Sequence, residues 1–147
     1  MRRFMLLVFF ISNIVFAHND ILSIDDYMNE HPRWKNELSN IIYIGTRCGM
    51  VFFEASNEVS KEINNKNAEK YSYVSKIFFY NTSDIANNKV IWPPHTRLIL
   101  EFYGYFYKQN IFKNYLGNDE FTGLIKKDLE TCIVNYDFFE KLPKVIS

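Results

Sequence analysis

Residues 34–59 read WKNELSNIIYIGTRCGMVFFEASNEV, and this stretch decides the fold. Its apolar and small residues recur in steps of four and three, at Trp34, Leu38, Ile41, Gly45, Cys48, Phe52, Ala55 and Val59. That spacing keeps all eight on one face of an α-helix, so the stretch predicts a long helix with a buried seam, ending near Asn64-Asn65. Gly45 and Gly49 each cost such a helix up to about 1 kcal/mol, but they let a neighbour approach closely.

The flanks read as further helices. Upstream, Ser23 with Asp26 resembles a capping box that opens a short helix through Asn29, and Pro32 suits the first turn of the next one. Downstream, a second long helix is expected from Ala68, with Tyr71, Val74, Ile77 and Phe78 inward, before a turn or cap at Asn81-Thr82-Ser83-Asp84. Pro93-Pro94 marks the start of a third, running toward Asn110 with Leu98, Phe102, Tyr105 and Phe106 on its buried face. Gly117 reads as a helix stop and Asn118 or Asp119 as the next cap. The last helix then carries Phe121, Leu124, Ile125, Leu129, Cys132, Tyr136 and Phe139, with Pro143 just past its end. The expected fold is mostly all-α, a four-helix bundle-like single domain. The alternative is an α+β domain with a small sheet, because segments 41–46, 71–80 and 98–107 are rich in β-branched and aromatic residues.

Residues 1–17 carry the marks of a secretory signal peptide. Arg2 and Arg3 supply the positive start, Phe4 to Ile11 form an apolar run, and Val15-Phe16-Ala17 is a small-x-small cleavage pattern. The run is far shorter than the ~20 residues a membrane span needs, which disfavours a stable anchor. The arginine pair lacks the rest of a twin-arginine motif, and no cysteine follows the cleavage point to take a lipid. The expectation is a signal at 1–17, one domain at 18–147, and a periplasmic or secreted location. Removing 17 of the 147 residues leaves 130, and the loss of Arg2 and Arg3 moves the formal charge from 0 to −2.

Phe and Tyr number 14 and 10 while Gly and Pro number 5 and 4, so the chain has ample apolar surface to bury and is expected to fold. No basic stripe stands out, which argues against nucleic acid as a partner.

An even, small number of cysteines in an oxidising compartment suggests a bridge. Cys48 and Cys132 both fall on the inner seams of their helices, near the middle of each, and would meet if the first and last long helices are antiparallel neighbours. Closing so long a loop stabilises a fold by roughly 4–5 kcal/mol in the chain-entropy model. The other reading is two buried free thiols. Without a C-x-x-C pair, redox catalysis has no basis.

His18, His31 and His95 do not pair at zinc-like spacing, and no haem attachment motif or other cofactor signature is present, so no cofactor is expected. Cleavage after Ala17 would make His18 the first residue, whose amine and imidazole can hold copper, with His31 or His95 completing a brace. The plainer assignment makes His18 part of a tail, His31 a helix cap and His95 part of a first turn. The acidic pairs Asp25-Asp26, Glu58 with Glu62, and Asp119-Glu120 read as helix starts and solvated faces, and no serine has a nucleophile context. No catalytic residue is expected. The best candidate binding surface is Trp92 to Tyr107, where Trp92 leads and Tyr103 and Tyr107, four apart, share a face away from the expected core. Core packing explains these rings at least as well and is the favoured reading of the two. Asn81-Thr82-Ser83 also matches an N-glycosylation sequon, of use only in a eukaryote.

The segment Tyr43-Ile44-Gly45-Thr46-Arg47-Cys48, followed by Val51 and Phe52, resembles one in small exported proteins of marine bacteria. Those proteins carry a signal peptide, an aromatic residue shortly before Arg-Cys, and one later cysteine. The resemblance implies a helical, disulfide-bearing periplasmic domain and no activity. Ile91-Trp92-Pro93 through Tyr107 is more faintly similar to small helical immunity proteins, but lacks the cysteine expected near its start. Together these observations predict a non-catalytic binding or interaction protein whose partner is a protein or small molecule. The alternatives are a small secreted enzyme or copper-binding protein using His18, and an immunity-type inhibitor of a secreted effector.

Overall fold

The seam winds into a helix from Leu38 onward, while Trp34, expected in the same helix, lies in a separate 3₁₀ turn before it. A computed structural model describes residues 21–62, 66–88 and 96–146, with side chains 87–88, 96–99 and 143–146 excepted. The expected signal segment, His18, Trp92, Pro93-Pro94 and His95 lie outside the described residues. Helix α1 spans Ile24–Glu30, capped by Ser23, whose hydroxyl accepts the Asp26 N–H at 3.0 Å. A 3₁₀ turn at Trp34–Asn36 places the Trp34 ring in the core before α2, Leu38–Val59. Ile41, Gly45, Cys48, Phe52, Ala55 and Val59 are all buried, and so are Ile44, Arg47 and Val51, so α2 is covered on more than one side. It stops at Val59, before the expected end, where the Lys61 and Glu62 N–H groups tighten onto the Glu58 and Val59 carbonyls.

The two glycines of α2 fix how the next helix lies. Helix α3, Asn67–Asn88, presses onto this strip so closely that a Cβ at Gly49 would sit 2.8 Å from the Phe79 ring, and one at Gly45 would overlap Thr82 Oγ1. Ser75 Oγ donates to the Gly49 carbonyl at 2.9 Å, a polar tie from an α3 side chain to the α2 backbone. The stretch Asn81-Thr82-Ser83-Asp84 is therefore not a turn: it lies inside α3, with Thr82 buried against Gly45. Asn81 has a different task. Its Nδ2 donates to the Phe139 carbonyl at 2.8 Å. Pro143 lies four residues after Phe139, inside α6 (Tyr136–Ile146) rather than past its end, and has no N–H to give that carbonyl. Asn81 supplies the missing donor, and the sequon amide is thereby engaged in holding α3 to α6.

Helix α4 spans Thr96–Asn114 and leads into a hairpin of β1 (Tyr115–Gly117) and β2 (Glu120–Phe121), antiparallel with Tyr115 opposite Phe121. Gly117, Asn118 and Asp119 all have positive φ (90°, 52° and 63°), a backbone that Gly, Asn and Asp tolerate best. Asn118 and Asp119 thus make a turn, and the helix start they were expected to cap moves to α5, Gly123–Val134, with Thr122 at its N-cap. The expected last helix is two helices, α5 and α6, broken at Asn135, whose Nδ2 returns to the Thr131 carbonyl at 2.9 Å.

Segments 41–46, 71–80 and 98–107, the candidate strands of the alternative fold, are all helical. The protein is a mostly helical single domain. Among the described residues it has six helices and one small hairpin where four helices were expected. Cys48 and Cys132 are joined in a disulfide, with Cα atoms 5.6 Å apart, and this bridge links α2 to α5.

Candidate functional site

Two places concentrate chemistry. The first is a buried polar hub beside the disulfide. Arg47 precedes Cys48 on α2, and Asp128 lies one turn before Cys132 on α5, so the bridge that joins the cysteines also brings these charges together. Arg47 Nη2 stands 3.0 Å from Asp128 Oδ2, and both side chains are 0 % exposed. Tyr107 of α4 donates its hydroxyl to the same carboxylate oxygen at 2.6 Å and accepts from Arg47 Nε and Nη2 at 3.2 Å. The other carboxylate oxygen accepts the Ile24 N–H at 2.7 Å, a donor left over at the start of α1. Arg47 Nη1 donates to the Tyr43 hydroxyl at 3.3 Å, which lies 2.5 Å from that of Tyr103, and the guanidinium sits 4.3 Å from the Tyr103 ring centre. One hub thus ties together α1, α2, α4 and α5.

Burial sets the proton affinities here. It pushes the Asp128 carboxyl above the usual range, against the pull of Arg47, the Tyr107 hydroxyl and the Ile24 N–H. Burial also disfavours the Arg47 cation, but Tyr107 and Asp128 more than reverse this, and its pKa rises. The Tyr103 and Tyr107 phenols are pushed up by burial despite Arg47 nearby. The Arg47 and Asp128 charges and the Tyr107 hydroxyl are spent on one another at full burial, while Tyr43 and Tyr103 are half-buried at the hub's edge.

The second place is a cleft of about 450 Å³ between α3 and the α5–α6 junction. Phe52 forms its floor, Tyr71, Tyr73, Val74 and Tyr136 its walls, and Lys70 and Asp137 stand on it as one charge of each sign. The floor continues into the aromatic core, with the Phe52 ring 5.7 Å from Tyr71 and 6.1 Å from Phe78. Ile133 also lines the cleft and is exposed to solvent, as is Val134, the next residue of α5. Burial raises the Tyr71 phenol, and burial with Glu140 raises Tyr136 to about 12, so both walls are neutral at ordinary pH.

The residues singled out in the sequence are distributed differently. Tyr103 and Tyr107 do share a face of α4, but it is the inner one: Tyr107 is fully buried and Tyr103 half-buried. Phe102 and Tyr105, expected inside, are exposed. Rings occupy both sides of this helix, so periodicity does not select a face. On the inner side the Tyr107 phenol answers both Arg47 and Asp128. His31 caps α1, with its ring 4.4 Å from that of Tyr27. Among the described residues no three His, Cys, Asp or Glu side chains gather as metal ligands would. Asp25 and Asp26 meet Lys127, and Glu58 meets Lys61. Arg47 and Asp128 were not anticipated as a pair. Their proximity to the two cysteines was the available signal.

No family model, curated protein or solved structure matches this chain. Among the described residues no helix is long and apolar enough to cross a membrane, and the disulfide accords with an oxidising compartment.

Proposed function

We propose that this chain is a non-catalytic recognition protein of the periplasm or extracellular space, taking an apolar segment of a partner into the cleft between α3 and the α5–α6 junction. The cleft carries this reading: its walls are largely aromatic, Ile133 at its edge is exposed, and among the described residues that line it Lys70 and Asp137 are the charged ones. A concave apolar site with few polar groups suits capture of a hydrophobic side chain or ring, with the charges orienting it. The hub supports the non-catalytic part, because its buried charges hold helices together with nothing left to act on a substrate. The disulfide and the short apolar run before Ala17 support export.

The test is saturable binding of the anionic apolar dye anilinonaphthalene sulfonate, read by fluorescence. One site is expected, lost in Ile133→Asp and weakened in Tyr73→Ala, with far-UV circular dichroism unchanged. Absence of saturable binding, or binding indifferent to both substitutions, would refute the reading.

A further inference from the structure

We infer that the outer face of α4 joins two copies of this chain as an antiparallel helix pair. The inner face of α4 is already committed, through Tyr103, Tyr107 and Ile111, to the hub and the core. On the opposite side Phe102, Tyr105, Gln109 and Phe112 follow in steps of three, four and three, the spacing of a helix-pairing seam. The three rings are 53, 69 and 70 % exposed. Single exposed apolar residues are ordinary, but three on one side of a helix, with Gln109 between Tyr105 and Phe112, form a face rather than isolated exposures.

This face is complementary to itself. A two-fold axis across the helix at position 107 sets Phe102 of one copy opposite Phe112 of the second, and Tyr105 opposite Gln109, each pairing occurring twice. The Gln109 amide then meets a phenol able to hydrogen-bond with it. A parallel arrangement would instead bury the two glutamines against each other between aromatic layers.

The area suffices. With about 200 Å² per ring, the exposed parts of the three rings amount to about 400 Å² per chain, or about 800 Å² for the pair. Gln109 and the stems of Lys108 and Lys113, both exposed beside the seam, carry the total past the roughly 1,000 Å² that a specific interface requires. Two-fold closure uses the face up, so association stops at two.

Sedimentation equilibrium of the oxidised chain at about 100 μM, well above a micromolar Kd, tests the inference. The expected mass is that of two chains. Phe112→Asp and Tyr105→Lys, both at exposed positions, should each return it to one chain with an unchanged far-UV spectrum. Val134→Asp, at the exposed end of α5 away from this seam in the chain, should leave the pair intact. A one-chain mass for the wild type, a pair that survives both α4 substitutions, or a pair dispersed by Val134→Asp would overturn it.

Discussion

Replacing Arg47 by methionine isolates the contribution of the buried hub. The stem volume is kept, and Asp128, 0 % exposed, is left among the described residues with the Tyr107 hydroxyl and the Ile24 N–H to stabilise its charge. An ion left without its counter-charge at such depth costs a fold about 3–5 kcal/mol. With a urea dependence of about 1.5 kcal/mol per molar, the unfolding midpoint should fall by about 2–3 M at pH 8. The deficit should also depend on pH in a defined sense. Burial already raises Asp128 while Arg47 pulls it down, so removing Arg47 raises it further. For a carboxyl raised above its unfolded value, the native contribution is complete below that value, near 3.8, and is lost as pH rises through the folded one. The variant should therefore recover toward pH 4 as Asp128 takes up a proton. Adding Asp128→Asn should restore most of the stability at pH 8, because an amide can accept from Ile24 and donate to Tyr107. Urea titrations at pH 4, 6 and 8, followed by far-UV circular dichroism, measure all three quantities. A midpoint shift below about 0.5 M at pH 8, or a deficit that does not shrink with acid, would refute this account of the hub.

Native chains should show no thiol to labelling, and reduction should lower stability by about 4–5 kcal/mol, the loop-closure entropy for a separation of 84 residues, read as a fall in denaturant midpoint. Gly45→Ala should destabilise by about 1–3 kcal/mol in a thermal melt, despite alanine's better helix propensity, because the added carbon meets Thr82 Oγ1 and the Phe139 ring. Asn81→Leu should cost about 1–3 kcal/mol by leaving the Phe139 carbonyl without a donor, again measured by melting. Six of the ten tyrosines, Tyr27, Tyr71, Tyr103, Tyr107, Tyr115 and Tyr136, have phenols raised chiefly by burial. Their contribution to stability is complete below pH 10 and lost as pH rises through the folded values, about 12 for Tyr115 and Tyr136. A native absorbance titration at 295 nm should accordingly lag that of the denatured chain by about six phenolates.

How far the sequence could be read depended on whether a pattern was one-sided. In residues 34–59 small and apolar residues line one seam, and the structure buries that seam with both glycines against α3. In α4 rings sit on both sides, so the pattern allowed either face: Phe102 and Tyr105, expected inside, are exposed, and Tyr107, a surface candidate for which core packing was the favoured reading, is a core acceptor and donor. The hairpin was hidden because Gly117-Asn118-Asp119 serves equally as a helix boundary and as a turn of left-handed backbone. The cleft could not be read at all. Its walls come from α3, α5 and α6, and no local pattern states how three helices leave a gap.

The sequence by itself determined that the chain is helical, that its two cysteines lie on inward faces, and that α2 has a close-approach strip for a neighbour. Those properties follow from side-chain spacing along single helices, where the backbone period alone sets direction. Only the tertiary structure decided that Arg47 and Asp128 meet at zero exposure, that Asn81 answers the carbonyl deprived by Pro143, and which side of α4 faces water. Each of these is a match between a donor and an acceptor more than 20 positions apart or a choice between two apolar faces. What settles them is the requirement that buried polar groups find partners, and partners so distant in the chain exist only after the helices have packed.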